Sequence, residues 1–282
     1  MYRESYVPGG GVSDLACERR QADISVPGIE CRIEEGDGYS WERISIKSDE
    51  GARSIGRPRG NYDTLTLPRM DTLNEEEIDD AANEVAKELC IAMERLGVYP
   101  ERLLVVGLGN RELTPDSIGP KAASAINATM HINGICDGYD PECSEIAVVT
   151  PGVTEQSGME SAELVCAICD RIEPDAVIAI DALASRSASR LGTTVQISDT
   201  GVFPGGGVGA RRRALSYDTL GVPVIAIGVP TVINAQVIPD IAEESKTRDF
   251  GSMLVSPREI DGITDAAADI IALGINQAFG VF

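Results

Sequence analysis

Leu103-Leu-Val-Val-Gly-Leu-Gly109 is apolar without a break and ends in glycines. Such a run suits neither face of a sheet to water, so it reads as a strand buried on both sides of a parallel sheet. Asp175-Ala-Val-Ile-Ala-Ile180 and Pro223-Val-Ile-Ala-Ile-Gly228 have the same character. Glu145-Ile-Ala-Val-Val149 and Thr193-Thr-Val-Gln-Ile-Ser198 read as two further strands. Helical patterns fall between them at 117–128 and 159–171. A long helix over 73–96 precedes them, with Thr72 and Glu75 as its capping box. A last helix begins at Ser256-Pro257-Arg258-Glu259 and carries Ile260, Ile263, Ala267, Ile270, Ile271 and Ile275 on one face. Strands alternating with helices specify an α/β fold: a three-layer, mostly parallel twisted sheet with helices on both faces. Upstream, residues 1–20 are Gly-rich and polar, a flexible leader. Residues 43–48 alternate as a half-buried strand, and 57–71 are turn-rich with a short extended stretch.

Composition narrows the function. The 282 residues are 43% apolar, enough for a real core, but only 4% aromatic, so aliphatic side chains must fill it. Asp and Glu number 45 against 24 Lys and Arg, a net charge of −21. Neutralising phosphates needs clustered cations, so direct nucleic-acid binding is not expected. The charge serves solubility or attracts basic and neutral partners. Met1 to Gly11 contains no apolar signal region, and no run approaches a membrane span, so a cytoplasmic protein is expected. The seven cysteines are scattered, as free thiols are in a reducing compartment. Cys166 and Cys169 fall inside a helical pattern and read as helix-face residues. His131 is the only histidine. That leaves almost no room for Ser-His-Asp or Cys-His catalysis and excludes a multi-histidine zinc site.

In an open parallel sheet, ligands bind beyond the carboxyl ends of the strands. Asp116 lies on the turn after the first buried strand, Asp181 directly follows Ile178-Ala-Ile180, and Asp199 follows Ile197-Ser198. Each alone has an ordinary explanation: a helix cap, a turn residue, an Asx-turn. Three carboxylates at one sheet edge, with no histidine to compete, point to acid–base chemistry. Two close carboxyl groups share a proton and titrate as a pair. The ionised member takes a proton from water while the other protonates a peptide group, with no metal or cofactor needed. Asp116, near a helix N-terminus, is assigned as base, and Asp181, after an apolar strand, as acid.

Three stretches imitate other sites. Val105-Val-Gly-Leu-Gly-Asn110 starts like a dinucleotide fingerprint but lacks its third glycine. The glycine-rich run from Gly201 to Gly209, before Arg211, Arg212 and Arg213, lacks the GK[ST] ending of a phosphate loop. It is read as a substrate-lining loop, with nucleotide or other ligand binding as the alternative from another class. Asp199-Thr-Gly201 spells the tripeptide of pepsin-like proteases, which are all-β, so that match is read as coincidence.

The longer motifs carry a family resemblance. Val105 to Asn110, Thr114-Pro-Asp-Ser-Ile-Gly-Pro120, Thr150-Pro-Gly-Val153, Ile178-Ala-Ile-Asp-Ala-Leu-Ala184 and Thr193 to Gly201 are similar to the germination proteases of spore-forming bacteria. So are Pro204 to Gly209, Gly221 to Thr231, residues 253–279, Ser54-Ile-Gly56 and Gly60-Asn-Tyr62. The resemblance implies an atypical aspartic endopeptidase with the fold of the hydrogenase maturation endopeptidases. Its catalytic pair falls on Asp116 and Asp181. Asn110, Asp199, Gly205, Gly206 and Gly207 are candidate supporting and substrate-lining residues. It further implies small acid-soluble spore proteins as substrates, a homotetramer, and a place in the forespore or spore core. A self-processing precursor is also implied, cut here in Ser13-Asp-Leu-Ala16 between Asp14 and Leu15. Residues 1–14 are then the leader and 15–282 one peptidase domain, with 15–72 an extended and β segment packed on the core. A metal-dependent maturation peptidase on the same fold is the nearer alternative. The segment after Thr231 is shorter than usual for the family, and the Cys136–Cys143 loop is unusual.

Overall fold

The computed structural model describes residues 13–19, 26–132, 144–203, 213–238 and 253–280. Along the chain these form α1 (Ala16–Arg19), β1 (Ile29–Glu35), β2 (Ser40–Ile46), α2 (Asp49–Ile55), β3 (Gly60–Thr66) and α3 (Glu75–Leu96). Then come β4 (Arg102–Gly107), α4 (Ile118–Ala125), β5 (Glu145–Val149), α5 (Thr154–Ser157), α6 (Ser161–Ile172) and β6 (Ala176–Ser185). The last are β7 (Thr194–Ser198), α7 (Tyr217–Leu220), β8 (Val224–Asn234), β9 (Leu254–Val255) and α8 (Ile260–Phe279).

One sheet runs in the order β1-β2-β3-β7-β8-β6-β4-β5, with β9 beside β8. Its centre is the expected parallel unit: β8, β6, β4 and β5 pair parallel, with Val105 opposite Val148 on one side and Ile178 on the other. The pleat sorts their side chains. Leu103, Val105, Ile178, Ile180, Ile225 and Ile227 face α3, α4 and α8, while Leu104, Val106, Val177 and Ala179 face α6. Both faces are covered, so the runs are apolar throughout; each fully buried aliphatic side chain contributes roughly 1.5–3 kcal/mol. Beyond β8 the sheet continues as an antiparallel wing through β7, β3, β2 and β1.

Some boundaries differ from the sequence expectation. The capping box of α3 is Asn74 with Glu77, at 3.0 and 2.9 Å, and the expected Thr72 and Glu75 do not form one. Met70–Thr72 is instead a 3-10 turn, in which the Thr72 hydroxyl donates to the Arg69 carbonyl. α8 starts at Ile260 with no side-chain cap, later than Ser256-Pro257 implied, because β9 still holds the chain to β8 through Val255. β6 does not stop at Asp181 but runs on to Ser185, alongside an equally extended β8, with a bulge between Leu183 and Ala184. The Cys136–Cys143 loop lies outside the described residues. Among the described residues no helix is long and apolar enough to cross a membrane.

The wing is tied to α3 by a buried charge cluster. Glu88, 1% exposed, and Asp63, 3% exposed, meet Arg43 and Arg95; Arg43 bonds Glu88, and Arg95 bonds Asp63 at 2.7 Å. Burial, reinforced by the negative charge of Asp63, pushes the Glu88 carboxyl up to about 7 against the opposing bond from Arg43. An unfolded glutamate titrates at 4.5. The folded chain therefore holds an extra proton between those values. The stability this gives is complete below 4.5 and lost as pH rises through 7. Relative to Glu88→Gln, the wild-type chain should lose on the order of 2 kcal/mol between pH 5 and pH 8. Urea unfolding of both proteins at the two pH values measures it, and a pH-independent difference would refute it.

Candidate active site

β4 ends where β6 continues. Gly107 pairs with Ile180, and the Leu108 amide donates to the Ile180 carbonyl at 2.8 Å. The chain then turns through Gly109 at φ 108°, where a Cβ would lie 2.2 Å from the Asp116 carbonyl oxygen, so only glycine fits. Thr114–Asp116 forms a 3-10 turn that leads through Ser117 into α4 and lies against β6 and β8. The half-buried Asp116 carboxylate accepts the Asn110 amide at 2.8 Å. Asn110 is itself fixed, its side-chain oxygen accepting from the Glu112 amide and from Gln156. Asp181 is 6% exposed, opposite Gly228 of β8, and accepts the Ala182 amide at 2.9 Å. Asp116 thus sits on the turn that lies against β6, and Asp181 on β6 itself, each bonded to a backbone amide.

Asp199 does not join them. β7 runs antiparallel to β8, with Gln196 opposite Gly228 and Ser198 opposite Ala226. The residue after Ser198 therefore points toward the opposite end of the parallel strands. The Asp199 carboxylate takes the Asn61 amide at 2.7 Å and the Asn61 side chain at 2.6 Å, pinning β3 to β7. The direction of β7, which sets Asp199 apart, is not legible from an apolar run. Gly205, Gly206, Gly207, Arg211 and Arg212 lie outside the described residues.

Residues 13–19 complete the site. Leu15 and Ala16 are fully buried, Leu15 in an apolar pocket with Ile44, Ile46, Tyr62 and Leu183. The Asp14 amide donates to the Ala184 carbonyl at 2.8 Å, and the Ala184 amide returns a bond to the Asp14 carboxylate at 3.0 Å. Gln196 straddles the next peptide bond: its oxygen accepts the Ala16 amide at 2.8 Å and its nitrogen donates to the Asp14 carbonyl at 3.4 Å. Glu18 accepts from the Ser185 hydroxyl and the amides of Arg186 and Ser187. Asp14 and Asp181 line one cleft with Arg57, Gln196 and Ser198, whose free space of about 40 Å³ is enough for a water molecule. Arg57 and Gln196 were not singled out from the sequence. Arg57 follows the matched Ser54-Ile-Gly56, and Gln196 lies inside a matched strand motif, which is the only signal either gave.

Burial pushes the Cys17 and Cys169 thiols up to about 11, far from thiolate chemistry at neutral pH. His131 is exposed on a turn after α4. Among the described residues no three His, Cys, Asp or Glu side chains gather as metal ligands. A buried carboxyl, a second carboxylate on the adjoining turn and space for water form a set able to move protons at a peptide bond.

A family model described as germination protease matches residues 12–252. The germination protease of Caldanaerobacter subterraneus subsp. tengcongensis is 35% identical, with 94% of this chain and 93% of that protein covered. That of Priestia megaterium is 37% identical, with 84% and 64% covered. Among solved structures, the [NiFe] hydrogenase maturation protease HycI from Thermococcus kodakarensis KOD1 aligns with a TM-score of 0.36 and 15% identity, covering 67% of this chain and 99% of that one. With the family model spanning most of its length and relatives matched nearly end to end, this chain belongs to the germination protease family, a family of peptidases.

Proposed function

We propose that the chain is an atypical aspartic endopeptidase that removes its own residues 1–14 and then begins the breakdown of small acid-soluble spore proteins. Asp116 and Asp181 share the proton work, one activating water and the other protonating the leaving amine. The observation that carries this reading is the seating of the Asp14–Leu15 bond. It lies in the cleft that Asp181 lines, with Asp14 tied to Ala184 of β6 by two hydrogen bonds and Gln196 bonded to the Asp14 carbonyl and the Ala16 amide. The aliphatic pocket around Leu15 and the tight burial of Ala16 fit a substrate with an apolar and then a small residue after the cut.

The precursor is then a chain that occupies its own cleft until it is cut. Incubation of the full chain at mildly acidic pH should yield a product beginning at Leu15 by mass spectrometry. That product should degrade a small acid-soluble spore protein. A stable new terminus elsewhere, or a processed chain inert toward that substrate, would overturn the reading.

A further inference from the structure

We propose that Arg57, together with the Ala184 amide, is the specificity element that reads an acidic residue immediately before the cut. The inference rests on the proposed self-cleavage at Asp14–Leu15 and adds to it the residue that selects the cleaved bond.

Arg57 is placed by the end of α2. The helix opens on Ser48, whose hydroxyl accepts the Gly51 amide, and closes on Gly56 in the left-handed region at φ 69°. The amides of Gly56 and Arg57 both return to the Ala52 carbonyl, which turns the Arg57 side chain back over the docked segment. One terminal nitrogen of Arg57 donates at 3.2 Å to the Ser13 carbonyl and at 3.2 Å to the Asp14 carboxylate. The second Asp14 oxygen accepts the Ala184 amide. Arg57 therefore contacts the backbone of one residue and the charge of the next, while Ala184 fixes both the amide and the carboxylate of Asp14.

The surroundings make this contact selective. Both side chains of the ion pair are 13% exposed, so solvent screens them little. The Arg57 Nε is buried and without a hydrogen-bond partner among the described residues. A neutral residue at position 14 would leave a buried guanidinium with no countercharge, and a cationic one would add repulsion. Sites built to bond a polar group discriminate against analogues that lack it far more strongly than apolar pockets discriminate by size. The chain as a whole carries −21, so a cation at this point also locally reverses a field that would repel an acidic side chain.

A double-mutant cycle on the full chain tests this, reading the rate of self-cleavage at Asp14–Leu15. Asp14→Asn and Arg57→Gln are each expected to slow it by ~10-fold or more, with tethering of the segment limiting the loss. The double variant should be slowed by far less than the product of the two single effects, since both remove the contact with the Asp14 carboxylate and only the Arg57 bond to the Ser13 carbonyl is lost in addition. Arg57→Lys, which keeps the charge, should recover part of the rate with Asp14 but not with Asn at that position. Multiplying effects, or equal recovery by lysine in both backgrounds, would assign Arg57 a merely structural role and overturn the inference alone. No self-cleavage in the wild-type chain would instead overturn the parent reading, and this inference with it.

Discussion

Asp181→Asn and Asp116→Asn are each expected to stop self-removal of residues 1–14 and to lower turnover on a protein substrate by roughly 10²–10⁴-fold. Asparagine keeps the shape of both sites. Its side-chain oxygen can still accept the Ala182 amide at residue 181 and the Asn110 amide at residue 116. Thermal unfolding should therefore change far less than rate. The double variant should be little worse than either single one, because a proton relay fails when one member is lost. The wild-type pH–rate profile should be bell-shaped, its two limbs belonging to the pair as a unit, and each single variant should lose one limb. A folded variant of either kind with near-normal turnover would sink the paired-carboxylate mechanism. Because the Arg57 cycle reads coupling within a chain that still cleaves itself, the two experiments fail independently.

How far this site could be read in advance follows from burial. β4, β6 and β8 are covered on both faces, so their cores are unbroken apolar runs; Asp181 stands out as the carboxylate that interrupts β6, and Asp116 is one of two, with Glu112, on the stretch between β4 and α4. β1 gave no such signal. It is an edge strand whose residues are mostly exposed, so the short alternation of Ile29, Cys31 and Ile33 with Glu30, Arg32 and Glu34 marks no buried face. α2 was equally silent: seven residues leave no room for a periodic pattern. The antiparallel direction of β7, which removes Asp199 from the edge, is a property of topology and not of Thr194-Val-Gln-Ile-Ser198. Arg57 and Gln196 act only because residues 13–19 fold back across the sheet, bringing together pieces with no local relation. The glycines of Val105-Val-Gly-Leu-Gly-Asn110, which mimic a cofactor fingerprint, have a packing explanation instead: Gly107 and Gly109 admit the backbone of Gly119 and Asp116.

That packing gives the second large effect. A Cβ added at Gly119 would lie 2.1 Å from the Leu108 oxygen, 2.6 Å from the Leu108 nitrogen and 2.7 Å from the Ile180 oxygen. All three are backbone atoms, and Leu108 is already bonded to Ile180, so no change of rotamer relieves the clash. Gly119→Ala must lift α4 away from β4 and β6, against its contacts with α8. We expect a cost of about 3 kcal/mol, the upper range for overpacking. In a chain of this size that lowers the melting temperature by roughly 6–10 °C. Asp116 lies three residues upstream, on the 3-10 turn that leads into α4, so the lift should also displace its carboxylate. Activity should fall by ~10-fold or more at temperatures where the variant remains folded, because small misplacements of catalytic groups are costly. Gly97→Ala is the contrast. That glycine caps α3 at φ 68° with nothing within 4 Å of the added Cβ, so alanine there meets only backbone strain of about 1–2 kcal/mol and leaves activity unchanged. Calorimetry and steady-state kinetics on both variants separate the cases. A Gly119→Ala chain as stable and as active as wild type would mean that α4 does not press on the sheet, and that Asp116 is positioned by something other than this contact.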